Sequence, residues 1–123
     1  MSTLSVSNIT DGTDTVETGY VVNGSAKAWV NFDGQVGPAI RDSLNTSSLS
    51  DIATGHYSQN FSAAMGNNDF SAVGGVSESG VGGQARLVLG DGYTTTLCLI
   101  LSYNGGGKLD YKFIAVTVNG DLA

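Results

Sequence analysis

The chain has 123 residues, enough for one domain with a modest core of its own. Hydrophobic residues make up 41%, which excludes disorder throughout, and only 13% are charged, so Ser, Thr, Asn and Gly must build the polar surface. The net charge of −6 and five cations exclude a phosphate-binding patch and argue against nucleic acid and anionic membranes.

Residues 1–22 read as a short N-terminal strand or arm, and the module core as about 26–118, within a single β-rich domain spanning 1–123. The opening MSTLSVSNIT lacks the basic and apolar regions of a signal peptide, and no apolar run approaches the length of a membrane helix, so no membrane insertion is expected. Turn dipeptides punctuate the chain: DG at 11–12, NG at 23–24, DG at 33–34, GG at 74–75 and 82–83, DG at 91–92, GGG at 105–107 and NG at 119–120. Between them lie alternating runs. In AKAWVNFDG at 26–34, Ala28, Val30 and Phe32 share a core face, while Lys27, Trp29 and Asn31 share the other. Trp29 is expected to cover the aliphatic stem of Lys27 while the ammonium stays wet. Pro38 marks an edge position or strand entrance. SSLSDI at 47–52 is the nearest helical candidate, too short to stand alone.

Further on, Tyr57, Gln59 and Phe61 alternate with His56, Ser58 and Asn60. GVSESGVGG at 75–83 reads as a flexible loop by composition. Ala85, Leu87 and Leu89 share one face. TTTLCLILSY and DYKFIAVTV are apolar on both faces and read as central strands covered on both sides, joined as one long hairpin through NGGGK. Such closely spaced turns and short β-rich runs predict an all-β, antiparallel sandwich, jelly-roll-like.

The search for chemistry is negative. The single His, His56, stands alone at a strand start and has no local nucleophile. The single Cys, Cys98, lies in an apolar run and reads as a small buried residue. Most Asp residues sit in turns, and Glu17 and Glu78 lie in loop-like stretches, so no carboxylate pair stands out for glycoside hydrolysis. One His and one Cys exclude an ordinary zinc site. Asp11 and Asp14 in DGTD could place two oxygens together as a weak calcium loop does, but a polar turn explains them as well. The Asn-x-Ser/Thr triplets at Asn8, Asn23, Asn45 and Asn60 arise readily by chance in this composition. No catalytic, cofactor or metal residue is named, no cofactor is expected, and binding residues cannot be read. The Gly-rich tips at 74–83 and 104–107 are the candidate contact loops.

The blocks Ala26 to Phe32, Ile40 to Ser43, Ser47 to Asp51, Gly55 to Phe61 and Ala64 to Phe70 stand in order over roughly the first half of the module core. In that order they resemble a module of tail-fibre and related virion proteins of tailed bacteriophages, especially aquatic ones. Gly66 stands where that family often has Pro after Ala-Met. The resemblance implies a β-rich module, often trimeric, exposed on the particle and without catalytic residues. The expected function is therefore a non-enzymatic phage structural protein, a short tail-fibre or fibre-tip module contacting the host surface. A capsid decoration (cement) protein is the alternative, since a chain of this length from its own Met1 leaves no room for a long shaft. A carbohydrate-binding β-sandwich is the further alternative. Expected partners are two further copies in a homotrimer, tail or major capsid proteins, and a host cell-surface glycan. The expected location is the virion, assembled in the host cytoplasm.

Overall fold

The computed structural model describes residues 1–77, 85–90 and 92–123. Its strands are β1 (Asn8–Thr10), β2 (Thr15–Glu17), β3 (Ala26–Asp33), β4 (Ala39–Leu44), β5 (Thr46–Ala53) and β6 (His56–Phe61). They continue as β7 (Ser71–Ser77), β8 (Ala85–Leu89), β9 (Leu97–Asn104), β10 (Gly107–Lys108) and β11 (Phe113–Asn119). The helix α1 (Thr18–Gly24) follows β2. All strand pairs among the described residues are antiparallel. The fold is all-β, and its body is a sandwich of two sheets.

Sheet I has the order β4-β3-β11-β7. Sheet II has the order β10-β9-β6-β5, with β8 also paired to β9. Alternation decides which side chains face the gap. Ala28, Val30 and Phe32 from β3 and Ile114, Val116 and Val118 from β11 are buried on the inner face of sheet I. Tyr57, Gln59 and Phe61 from β6 and Cys98, Ile100 and Ser102 from β9 meet them from sheet II. Each large apolar side chain buried this way contributes about 1.5–3 kcal/mol. Phe32 and Tyr57 join the sheets edge to face, with centroids 5.1 Å apart. Towards the other end, Phe70 meets Phe61 at 5.7 Å and stacks on Tyr93 at 4.8 Å.

A polar network closes the first end. The Tyr57 hydroxyl donates to Asp110 Oδ1 and, at 3.3 Å, reaches the carbonyl of Gly34. Asp110 Oδ1 also accepts the Gly55 N–H at 2.6 Å. The Gly34 N–H donates to the Tyr111 carbonyl at 2.8 Å, and Tyr111 is fully buried. Gly55 has φ +59°, and a Cβ there would lie 2.5 Å from the Ser102 carbonyl oxygen. Only Gly fits both demands. The network ties the loops of both sheets together across the edge of the core.

Several sequence expectations change. SSLSDI is strand, lying within β5 and pairing with β6 from Thr46 to Ala53. Its Ser and Asp side chains face solvent on an edge strand, which hides the strand pattern. The helix is TGYVVNG instead, and none of its residues is buried. The long hairpin from TTTLCLILSY to DYKFIAVTV does not form. β9 pairs with the two-residue β10, and the chain then crosses to sheet I, where β11 lies between β3 and β7. The Tyr111 and Asp110 anchors hold that crossing. Nor are β9 and β11 covered on both sides: Leu97, Leu99, Leu101 and Tyr103 are half-buried, and Phe113 and Ala115 are exposed. Finally, Gly74 and Gly75 belong to β7. A Cβ on Gly74 would sit 2.4 Å from the Ala115 carbonyl oxygen, so Gly here allows close backbone approach within the sheet. The remainder of the expected 75–83 loop, Glu78 included, lies outside the described residues from position 78 on.

Candidate functional site

The residues first weighed for chemistry fall into structural roles. Asp11 Oδ1 accepts the N–H groups of Thr13 at 2.9 Å and Asp14 at 2.8 Å. These backbone donors hold the Asp11 carboxyl below its ordinary value of 3.8. DGTD is thus a self-bonded turn joining β1 to β2, with Gly12 at φ +100°. Cys98 is fully buried, and burial pushes its thiol up to about 11, away from the thiolate chemistry needs. His56 opens β6 on its outer face, half-buried, opposite Leu101. Asp110 is taken up by Tyr57 and Gly55. Burial, with Asp110 beside it, raises the Tyr57 hydroxyl far above its usual range, so it stays protonated and donates to Asp110. Among the described residues no group of three or more His, Cys, Asp or Glu could hold a metal ion. Among them, too, no helix is long and apolar enough to cross a membrane.

Two surfaces among the described residues carry large exposed apolar side chains outside sheet II. One is the outer face of sheet I. Its central row runs Leu44, Trp29, Thr117, Val73 across all four strands. The next row runs Asp42, Asn31, Ala115, Gly75. Because Ala115 and Gly75 are small, the face sinks there. The resulting hollow of ≈ 400 Å³ is lined by Asn31, Gly75, Ser77, Phe113 and Ala115 among others. A register shift in β4 between the partners of Asn31 and Phe32 turns Arg41 across the face. Its guanidinium donates to Asp33 Oδ2 at 3.0 Å, to Asn31 Oδ1 at 3.3 Å and to the Lys112 carbonyl at 2.6 Å. It also lies 4.4 Å from the centroid of Phe113. The Trp29 ring is half-buried on this face. The Lys27 ammonium, in exposed contacts, bonds the end of α1: it donates to the Val22 carbonyl and, at 2.7 Å, to that of Ser25.

The other surface is the N-terminal arm. Among the described residues β1 and β2 pair only with each other, Ile9 opposite Val16. α1 follows without a side-chain cap at its start. Every residue from 1 to 25 is exposed except the half-buried Thr18. Besides Lys27, Asn119 holds the root, donating to the Gly24 carbonyl at 3.0 Å. The alternation of LSVSNIT and the TGYVVNG run signal apolar content here, but only the structure shows that it is left exposed among the described residues.

The outer face of sheet II is mixed: β9 lays Leu97, Leu99, Leu101 and Tyr103 on it, half-buried, with Arg86 5.2 Å from the Tyr103 ring centroid. There Asn60 Nδ2 donates to Ser48 Oγ at 3.1 Å and Ser50 Oγ at 3.0 Å, and Ser58 Oγ donates to Asn60 Oδ1 at 3.0 Å. These Asn and Ser side chains satisfy one another and form a polar patch beside that apolar row. The Gly-rich tip at 104–107 is the exposed turn between β9 and β10.

Compared with family models, with curated proteins and with solved structures, the chain gives no match.

Proposed function

We propose that this chain is a non-enzymatic structural module of a phage virion, of the short tail-fibre or fibre-tip kind. In this reading the jelly-roll-like sandwich works as a homotrimer built onto other virion proteins. The observation that carries an assembly role is the N-terminal arm. It is ordered into a hairpin and a helix, yet Leu4, Tyr20 and Val22 stand 81%, 73% and 60% exposed. A lone two-stranded hairpin and a helix of under two turns are marginal in water, so the arm belongs against a partner. The blocks from Ala26 to Phe70 support the virion setting, since they are the part of the chain that resembles fibre modules. Self-bonded Asp11, buried Cys98 and structural Asp110 support a binding role over catalysis. The exposed 104–107 turn is the candidate contact with the host surface, a cell-surface glycan included.

Quantitative mass spectrometry of purified particles tests this. A copy number in step with the tail supports the fibre reading. A copy number in step with the capsomers transfers the assignment to head decoration. Absence of the chain from particles overturns the virion setting altogether.

A further inference from the structure

We propose that the outer face of sheet I receives the N-terminal arm of a second copy of the same chain. The inference rests only on the assembly half of the reading above, and its failure would leave the particle copy number untouched.

The two surfaces complement each other in kind. On the arm, Leu4, Ile9, Tyr20 and Val22 are exposed and pack on no core. On the face, Val73, Leu44 and Phe113 are 62%, 47% and 44% exposed around the Trp29 row. Each is a patch that a soluble chain would otherwise leave wet.

They also complement each other in charge. The arm carries Asp11, Asp14 and Glu17 and no Lys or Arg. Lys27, Arg41 and Lys112, three of the five cations in the chain, lie by the face against the acids Asp33 and Asp42; Arg41 is paired with Asp33 and Lys27 bonds the end of α1, which leaves the Lys112 ammonium by Phe113 as the positive charge open to a partner. Arg41 and the Lys112 ammonium both lie over Phe113, at 4.4 and 5.9 Å from the ring centroid. This places positive charge beside the exposed ring, where an apolar arm with acidic side chains is best received.

The arm's own attachment favours a neighbour over its own sandwich. Lys27 and Asn119 pin its root at Val22, Ser25 and Gly24. Beyond that root, among the described residues, β1 and β2 pair with each other and with no strand of either sheet. An arm that docks on the next copy makes a head-to-tail contact, and such contacts close into rings when the rotation allows, a trimer among them.

The test uses two full-length variants, changed only at exposed residues. The arm variant is Tyr20→Ser with Val22→Ser. The face variant is Val73→Glu with Lys112→Glu. Circular dichroism confirms that each folds, and light scattering gives its association. The wild-type chain is expected to form oligomers, and each variant to dissociate at about tenfold or more higher concentration than wild type. Mixing the two variants is expected to restore a 1:1 heterodimer and nothing larger, because one intact arm then meets one intact face. A monomeric wild type overturns the proposal, as does either variant associating like wild type, or a mixture that stays monomeric. The wild-type protein supplies a second readout that needs no variant. Trp29 is the only Trp, so its emission should shift to the blue as concentration rises through the association range. Association without that shift places the contact elsewhere and also overturns the proposal.

Discussion

The sandwich body and the N-terminal arm use the same residue types and give them opposite fates. In the body, Val30, Val116 and Val118 are at most 1% exposed, each opposed across the gap by side chains of the other sheet. In the arm, Val21 and Val22 are 43% and 60% exposed. The difference lies in what surrounds them. A strand in a sandwich has a second layer to bury against, whereas among the described residues β1 and β2 pair with each other and α1 meets the body through the Lys27 and Asn119 hydrogen bonds at its end. Polar groups follow the same division. Tyr57, Asp110 and Gly55 bond each other within the body's edge, while the arm's Asp11 bonds only its own turn. Stability should therefore reside almost wholly in the body, and the arm's apolar content should matter for contact.

The strongest attempt to break this comparison is Phe32→Ala. Phe32 is fully buried and meets Tyr57 edge to face, so the variant should lose about 3–5 kcal/mol in urea unfolding. A loss under about 1 kcal/mol would show that the two sheets do not share one core. Next comes Gly55→Ala. Its φ of +59° and the Ser102 carbonyl oxygen 2.5 Å from the added Cβ should together cost about 2–3 kcal/mol. A neutral result would mean that the Asp110 loop adjusts freely and that the end network does not tie the sheets.

The third effect is alkaline. Burial pushes the Cys98 thiol from 9.0 to about 11. Burial first, then the charge of Cys98, pushes the Tyr93 hydroxyl from 10.0 to about 12. Both groups are neutral when protonated, and the folded state holds their protons more tightly than the unfolded chain does. Their contribution is therefore complete below pH 9 and is lost as pH rises through 11 and 12. Unfolding free energy should decline from about pH 9 upward, with Cys98 accounting for on the order of 1–3 kcal/mol. Cys98→Ala should flatten the first part of that decline when denaturant melts are compared at pH 8 and pH 11. An unchanged slope would show that the thiol is not held in an apolar site.

The body was far more legible in the sequence than the arm, for physical reasons. Strands with one face in a core write a period of two, and β3, β6 and β11 do so through Phe32, Tyr57 and Val116. The turn at Asp11-Gly12 was legible because the Asp side chain and a positive φ at Gly are what the bend needs. The crossing between β9 and β11 was not. Alternation marks a strand without naming its partner, and the anchoring of Asp110 and Tyr111 is a contact between distant segments. Residues 18–24 were illegible as helix because they contain Gly and adjacent Val, lack a cap and bury no stripe. Gly74 misled in the other direction, since a Gly that admits a neighbouring backbone looks like a Gly that makes a turn. The candidate face was half legible. Alternation put Lys27, Trp29 and Asn31 together, but the cross-strand row from Leu44 to Val73 exists only once the sheet order is known.

The smallest expected effect is the sharpest for the comparison. Tyr20→Ser removes a large aromatic side chain, which in a core would cost several kcal/mol. Here the ring is 73% exposed and α1 buries nothing, so the denaturant stability of the isolated chain should change by about 0.5 kcal/mol or less. The measurement should be made at a concentration low enough to keep chains apart, because an associated state would add its own stabilisation by mass action. If Tyr20→Ser is neutral at low concentration and destabilising at high concentration, the arm contributes only through contact between chains. If it destabilises equally at both, the ring packs within its own chain in solution. The division between a self-sufficient body and an arm waiting for a partner would then be wrong.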